Sequence, residues 1–179
     1  MNKRTICLVL TLVCALTMLA QHYNIVKNIA YTMKTDTYSA QRLKLDIYYQ
    51  EQATDLPVVV WFHGGGLTSG EKDFPYKLKE KNCVLVAVNY RLLPNVTIDQ
   101  TIDDAAEAVA WVMNHITEYG GSTKKMIVSG HSAGGYLTMM LALNKQWLDR
   151  YGKDANQIAA YVPFSGQAIS HFSYRKMKG

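Results

Sequence analysis

Cysteine is scarce in this chain of 179 residues, which contains three. Cys7 and Cys14 fall in an N-terminal segment with the features of an export signal, so removal of that segment would leave Cys83 alone and no internal disulfide could form. Cys83 adjoins the apolar run 84–88, and no residue near it in sequence would lower its pKa. We therefore expect this thiol to pack in the core and not to act as a nucleophile.

The sequence also lacks the common motifs for nucleotides, phosphates and metals. Ser69 stands where the third glycine of a dinucleotide-binding pattern starting at Gly64 belongs. A phosphate-loop pattern starting at Gly65 fails as well, because Glu71 occupies the place of its lysine. Zinc-protease motifs and paired cysteines at metal-ligand spacing are missing. We therefore expect neither a cofactor nor a metal.

A strong excess of one charge is missing too. The formal net charge is +5, and two of the positive charges, Lys3 and Arg4, lie in the N-terminal segment. The densest basic stretches, 124–125 and 175–178, occur without a nucleic-acid fold signature. We therefore expect a solvated surface and no nucleic-acid partner.

The N-terminus combines a basic start, residues 1–4, with an apolar segment, residues 6–20. That segment is short for a membrane span, and Ala20 is a small residue suited to cleavage. We expect residues 1–20 to be a signal peptide, the mature chain to hold no membrane span, and the protein to be exported to the periplasm or outside the cell. An uncleaved membrane anchor is the alternative, because Met18 is large for the position two residues before the cleavage point.

Apolar patterns predict strands along the rest of the chain. Two alternating stretches, 25–33 and 42–49, predict an antiparallel hairpin around the polar turn 35–37. Later apolar runs without interruption are typical of strands covered on both faces. The other predicted strands are 58–62, 83–89, 126–129 and 158–164.

Helices are expected between these strands. The clearest spans 101–119, where apolar residues share one face, Thr101 and Asp104 form a capping pattern, and Gly120 stops the helix. A short helix is also predicted within 69–81. The alternation implies an α/β protein with a mostly parallel sheet and with active groups at the carboxyl ends of the strands.

One pentapeptide has the pattern of a catalytic motif. Gly130, His131, Ser132, Ala133 and Gly134 form a G-x-S-x-G motif between an apolar strand and a helix-like stretch. A strand-to-helix turn this tight strains the serine backbone and requires small neighbours, which the two glycines provide. Ser132 is therefore predicted to be a nucleophile and not an ordinary helix cap, with the Ala133 N–H as an oxyanion donor. His131 cannot form the required bond to its neighbour, so we expect it to pack or to line the site.

A second motif makes the prediction more specific. His63-Gly64-Gly65-Gly66 follows the apolar run 58–62, where a loop after an upstream strand supplies oxyanion donors. Acyl transfer needs a nucleophile, such donors, and a base that an acid holds in register. The two motifs in this order predict a serine hydrolase.

On these residues the chain resembles the α/β-hydrolase esterases and lipases that carry an H-G-G-G loop, and within them bacterial feruloyl and acetyl xylan esterase-type domains. The resemblance implies helices on both faces of the sheet, carboxylic-ester hydrolysis through an acyl-enzyme on Ser132, and oxyanion donors at Gly65 and Gly66 beside Ala133. It implies a small-molecule or carbohydrate-linked ester as substrate, with acyl groups of plant polysaccharides as the suggested case. His63 would brace the loop. The similar stretches are 43–48, 60–70, 88–92, 103–111, 127–136 and 161–166.

The resemblance also raises an expectation about the end of the domain. Such proteins normally have eight core strands, with the triad acid and histidine after the seventh and eighth, whereas strands are predicted here only through the sixth. We therefore expect residues 21–179 to be a partial domain, truncated before the last strands, with an exposed sheet edge open to association. His171, Asp149 and Asp154 follow Ser132, but at positions that do not match the family. A non-catalytic fragment or binding module is the alternative function.

Overall fold

A six-stranded β-sheet forms the centre of the protein. The computed structural model describes residues 22–167, so the predicted signal peptide and His171 lie outside the described residues. The strands are β1 (Tyr23–Ala30), β2 (Lys44–Gln50), β3 (Leu56–Phe62), β4 (Val84–Val88), β5 (Gly121–His131) and β6 (Ala160–Phe164). Their order across the sheet is β1-β2-β4-β3-β5-β6.

The direction of the strands confirms the predicted sheet. β2 pairs antiparallel with both β1 and β4, whereas β4, β3, β5 and β6 run parallel to one another. All residues of β4 are buried, as a central strand covered on both faces requires. The mostly parallel sheet with an antiparallel N-terminal pair therefore follows the apolar patterns of the sequence.

The connection between β1 and β2 differs from the predicted turn. A short helix, α1 (Thr37–Arg42), follows residue 36, because the Asp36 side chain accepts a hydrogen bond from the Ser39 N–H at 2.9 Å and caps the helix. The prediction of a simple polar turn over 35–37 was wrong, since the polar residues there cap a helix.

The long helix, α2, spans Ile98–His115 and begins earlier than predicted. Thr97 accepts from the Gln100 N–H at 3.2 Å, and the Gln100 side chain accepts from the Thr97 N–H at 2.8 Å, which makes a complete capping box. Asp104, predicted as part of the cap, lies inside the helix and pairs with Arg91. The helical region then continues as a 3₁₀ turn and stops at Gly120, as predicted.

The predicted helix within 69–81 is reduced to a single 3₁₀ turn, Tyr76–Leu78. Glu80 and Asn82 have φ angles of 58° and 52°, a left-handed conformation that an α-helix cannot include. Phe74 instead packs on Tyr48 of β2, with ring centroids 5.9 Å apart. The segment therefore crosses the sheet mainly as irregular chain.

The two faces of the sheet are covered differently in residues 22–167. The main core forms where α2 and α3 (Ala133–Leu143) pack on the face that carries Val60 and Phe62. A smaller cluster on the other face joins Val59 to neighbours that include Phe74. The resemblance implied helices on both faces, whereas in the described part of the chain the long helices lie on one face.

β6 forms one end of the sheet and leaves apolar side chains in solvent. Val162 is 38% exposed and Phe164 is 52% exposed, and Leu143 at the end of the adjoining α3 is 75% exposed. Within residues 22–167, β6 is the last strand on this side of the sheet, and the expected truncation stays a prediction. Among those residues, no helix has the length and apolar character needed to cross a membrane.

Candidate active site

Ser132 occupies the sharp turn between β5 and α3. Its backbone has φ 55° and ψ −111°, a conformation that a residue with a side chain rarely adopts. Its N–H donates to the carbonyl oxygen of Phe164 at 2.8 Å, which anchors the turn to β6. Although Ser132 stands at the N-cap position of α3, its side chain makes no capping hydrogen bond. The geometry therefore matches a nucleophile elbow and not an ordinary helix cap.

The two glycines of the motif allow α3 to approach β3 closely. A Cβ atom on Gly130 would lie 2.6 Å from the carbonyl carbon of Gly134, and one on Gly134 would overlap the carbonyl oxygen of Phe62. Either contact would push the helix away from the strands. The steric reason predicted from the sequence is therefore present in the structure.

The glycine loop forms a tight turn directly after β3. Gly65 has a φ of 115°, and its carbonyl oxygen accepts hydrogen bonds from the N–H groups of Thr68 and Ser69, both at 3.1 Å. A Cβ atom on Gly65 would overlap the Ser69 carbonyl group. Gly66 has a φ of 63° and is exposed. Glycine is therefore required at Gly65 for both conformation and space.

The loop and the serine lie next to each other. β3 and β5 are adjacent parallel strands with Phe62 opposite Gly130, so their carboxyl ends meet at the same edge of the sheet. A Cβ atom built on Gly64 would be 3.6 Å from Cβ of Ser132 and 3.3 Å from the carbonyl oxygen of His131. Two motifs that are far apart in sequence therefore meet at one site.

Three main-chain N–H groups at this site are candidates for oxyanion binding. The hydrogen bonds found within residues 22–167 include none donated by the N–H of Gly65, Gly66 or Ala133. Ala133 is the first residue of α3, where an N–H has no partner inside the helix and the helix dipole favours negative charge. Their role in stabilising an oxyanion stays a prediction.

His63 is held within its own loop. Its imidazole is 3% exposed and lies 4.4 Å from the Tyr90 ring, at an interplanar angle of 11°. Nδ1–H donates to the Gly64 carbonyl oxygen at 2.6 Å, and the Tyr90 hydroxyl donates to the His63 carbonyl oxygen at 2.7 Å. Burial lowers the pKa of His63 from its ordinary value of 6.5, which favours the neutral ring. These contacts suit the predicted bracing role and not that of a general base.

Two residues that contact the glycine loop were not predicted from the sequence. Tyr90 is the second residue after β4, and the rule that active groups gather at the carboxyl ends of parallel strands could have identified it. Arg42 ends α1 and is 7% exposed, with hydrogen bonds to the Gly70 and Tyr90 carbonyl oxygens. No local pattern around Arg42 signals this position, because its partners lie far away in sequence.

A cleft of about 340 Å³ opens beside the elbow. Its walls are largely aromatic, and His131 contributes an exposed side chain, so the lining role predicted for His131 agrees with its position. Gly64 connects the cleft to the loop next to Ser132. The lining residues are Trp61, Gly64, Asp73, Phe74, Pro75, Tyr76, Lys77 and His131.

The structure brings no acid–base pair to Ser132 within residues 22–167. Asp154 accepts a hydrogen bond from the Asn156 N–H at 2.8 Å and caps a 3₁₀ turn, while Asp149 lies in the short helix α4 (Gln146–Asp149). The hydrogen bonds of this part of the chain include none from the Ser132 hydroxyl. Groups of three potential metal ligands are likewise absent from the described residues.

A mostly parallel sheet with the strand order β1-β2-β4-β3-β5-β6 and a serine turn between β5 and α3 is the α/β-hydrolase fold. Juvenile hormone esterase from Manduca sexta has this fold and matches with a TM-score of 0.64 at 25% identity, covering 81% of this chain and 29% of that one. The BD-FAE family model matches residues 45–173. The chain belongs to the BD-FAE family.

Two curated relatives are named as ester hydrolases. The probable isoprenylcysteine alpha-carbonyl methylesterase ICMEL1 of Oryza sativa subsp. japonica is 30% identical over 149 residues, which are 75% of this chain and 35% of that protein. The probable carboxylic ester hydrolase LipM of Mycobacterium tuberculosis (strain ATCC 25618 / H37Rv) is 35% identical over 118 residues, which are 62% of this chain and 27% of that protein. The chain thus spans about a third of the length of the relatives that it matches.

Proposed function

We propose that this protein hydrolyses carboxylic esters through an acyl-enzyme on Ser132. The observation that carries the proposal is the positive-φ turn at Ser132 next to Gly64, because it places a half-buried serine at the edge of the sheet beside main-chain donors that have no hydrogen-bond partner within residues 22–167. The names of the relatives, a methylesterase and a carboxylic ester hydrolase, support the same reaction class.

The reaction would proceed in two steps. Ser132 Oγ attacks the ester carbonyl carbon while a general base takes the hydroxyl proton, and the N–H groups of Gly65, Gly66 and Ala133 stabilise the oxyanion. The oxyanion collapses, the bond to the alcohol oxygen breaks, and the alcohol leaves with the proton from the base. Water then attacks the acyl-enzyme in the same manner and releases the acid and Ser132. The base and its acid are proposed to lie outside residues 22–167.

The substrate proposed is an ester of small acyl groups on plant polysaccharides. The cleft beside Gly64 supports it, because Trp61 and Tyr76 provide apolar walls for an acyl group, while Lys77 and His131 add polar groups. Release of acetate from acetylated xylan, compared with release from simple acetate esters, tests this choice; no release from the polysaccharide would contradict it.

The experiment that tests the reaction compares the wild type with Ser132→Ala on p-nitrophenyl acetate. We expect kcat to fall by about 10³-fold or more, because the covalent step needs this hydroxyl. Ser165→Ala is the matched control: Ser165 is exposed and also has a positive φ, 50°, but lies outside the elbow. Equal rates for the wild type and Ser132→Ala would refute the proposal.

A non-catalytic fragment or binding module is the second candidate. It is favoured by one observation, that no acid–base pair reaches Ser132 within residues 22–167. Under this alternative, the wild type and Ser132→Ala show the same background rate while both bind the carbohydrate ester.

The proposed location is outside the cytoplasm, with cleavage after residue 20, and the proposed contact for a partner is the edge strand β6. Mass spectrometry of protein recovered from the periplasm or medium should find a chain that begins at residue 21. A chain that keeps residues 1–20 in the membrane fraction would instead indicate the uncleaved anchor.

A further inference from the structure

A buried arginine ties the far end of the glycine loop to the sheet. Nη2 of Arg42 donates to the carbonyl oxygen of Gly70 at 3.1 Å and to that of Tyr90 at 3.2 Å. Nε donates to the same Tyr90 oxygen at 3.2 Å, and Nη1 forms an ion pair with Glu71. One guanidinium group therefore joins the loop to Tyr90, the second residue after β4.

The residues next to Gly70 are fastened to the same place. The Asn89 side chain donates through Nδ2 to Glu71 Oε2 at 2.6 Å and accepts through Oδ1 from the Lys72 N–H at 2.6 Å. Asn89 is 4% exposed, so the side chain that makes both bonds is buried, whereas the Glu71 carboxylate is open to solvent. The chain from 70 to 72 is thus bound to residues 89 and 90 by side chains on both sides.

The near end of the loop depends on Tyr90 as well. The Tyr90 hydroxyl donates to the His63 carbonyl oxygen, and its ring stacks on the His63 imidazole. Tyr90 is fully buried. Both ends of the segment 63–72 are therefore attached to Tyr90, one directly and the other through Arg42, while the exposed glycines lie between them.

We propose that Arg42 is a positioning residue that holds the Gly65 and Gly66 N–H groups toward the carbonyl oxygen of the substrate. Glycines allow many backbone conformations, so a segment with four of them, as 63–72 has, orders its donors only if its ends are fixed. Oxyanion donors act strongly because they are oriented before the reaction and need no rearrangement. The inference rests on the proposed function, because the loop must serve the oxyanion for Arg42 to affect the reaction.

The chemistry of the side chain explains why arginine occupies this position. A guanidinium group presents five N–H donors in one plane, and Arg42 uses them on two carbonyl groups and one carboxylate. A lysine ammonium could keep the positive charge near Glu71, but it could not reach all three partners in the same geometry. Arg42→Lys should therefore retain part of the kcat that Arg42→Met loses.

The test compares Arg42→Met and Arg42→Lys with Arg150→Met, whose side chain is 56% exposed. For Arg42→Met we expect kcat on p-nitrophenyl acetate to fall by about 10- to 100-fold with KM changed less than about threefold, since loss of a single oxyanion donor costs about 10²–10³ in kcat. Arg42→Lys should lie between Arg42→Met and the wild type. Arg150→Met should match the wild type.

Hydrogen exchange of the backbone provides a second readout that needs no activity. Exchange in Arg42→Met should become faster at residues 64–70 and stay unchanged in α2 and β5. If the wild type proves inactive, the ester-hydrolase proposal fails, while this exchange result still decides whether Arg42 holds the loop. Unchanged exchange and unchanged kcat in Arg42→Met would overturn the inference.

Tyr90→Phe provides a second test of the inference in case Arg42→Met does not fold. It removes the hydrogen bond to the His63 carbonyl group and the 3.4 Å contact with Nδ1 of His63, and it keeps the ring stacked on His63. We expect a smaller fall in kcat, about 3- to 10-fold, and faster exchange near residue 64. If Arg42→Met does not fold, Arg42→Lys and Tyr90→Phe test the inference instead. A wild-type kcat and wild-type hydrogen exchange in both variants would refute the inference.

Discussion

At the residue scale, the site depends on a few backbone positions that ordinary residues cannot occupy. Ser132 adopts a positive φ although it has a side chain, and such strain persists only where the surrounding structure enforces it. Here the Ser132 N–H is bonded to Phe164, and α3 is locked against β3 through Gly134. The strained conformation of this half-buried serine is therefore a product of the packing around it.

Replacement of Gly134 tests that packing. Gly134→Ala should lower the free energy of unfolding by about 1–3 kcal/mol or prevent folding, because its Cβ would overlap the Phe62 carbonyl oxygen on β3. Gly152→Ala is the control, since a Cβ atom there meets nothing within 4 Å and only the positive φ of 65° adds strain. Urea unfolding of both variants measures the difference. Equal losses would show that close approach at Gly134 has no special cost.

His63 should make stability depend on pH. Desolvation lowers the pKa of His63 in the folded protein, so the unfolded chain binds this proton more readily. Its contribution to stability is complete above pH 6.5 and is lost as the pH falls below that value toward the lowered pKa. Protonation would also place a hydrogen on Nε2, which is buried without a partner in the described residues.

The measurement is the free energy of unfolding between pH 7.5 and about 5, where most carboxylates remain ionised. The decrease seen in the wild type should be reduced in His63→Asn and retained in His22→Asn, whose side chain is exposed. The same decrease in His63→Asn would show that another group is responsible.

At the element scale, strands were easier to predict than helix ends. Continuous apolar runs marked β3 and β4 to within a residue or two, because a central parallel strand has no solvent-facing side to interrupt the run. The predicted start of α2 was wrong because Thr97 and Thr101 each lie three residues before a side chain that can complete a capping box. The choice depends on Asp104, which Arg91 engages through hydrogen bonds of 2.6 and 2.8 Å.

The edge strand β6 carries two exposed apolar side chains, those of Val162 and Phe164. Within residues 22–167, β6 has no partner strand on its outer side, and such an edge with apolar side chains favours pairing with another chain, so we expect the protein to self-associate in sedimentation experiments. Val162→Lys should reduce that association, because a charged side chain on an edge opposes strand pairing. Ile25→Lys, on the opposite edge strand β1 and 44% exposed in the wild type, is the control. Equal association of Val162→Lys and the wild type would argue against contact through β6.

At the scale of the whole molecule, the sheet order creates the site. β3 and β5 are neighbours although β4 lies between them in sequence, so the glycine loop and the serine turn reach the same edge. β4 lies on the other side of β3 and brings Asn89 and Tyr90 to the base of the loop. Most residues that hold the loop therefore come from segments that local patterns cannot connect.

The sequence by itself determined the serine turn, the glycine loop and the parallel strands, because steric needs of a few neighbouring residues and continuous burial leave local signals. Only the tertiary structure decided that Arg42 reaches Gly70 and Tyr90 and that the 69–81 segment crosses the sheet as irregular chain. Such contacts depend on which strands lie side by side, and that arrangement arises from burial summed over the whole sheet and not from any single stretch of residues.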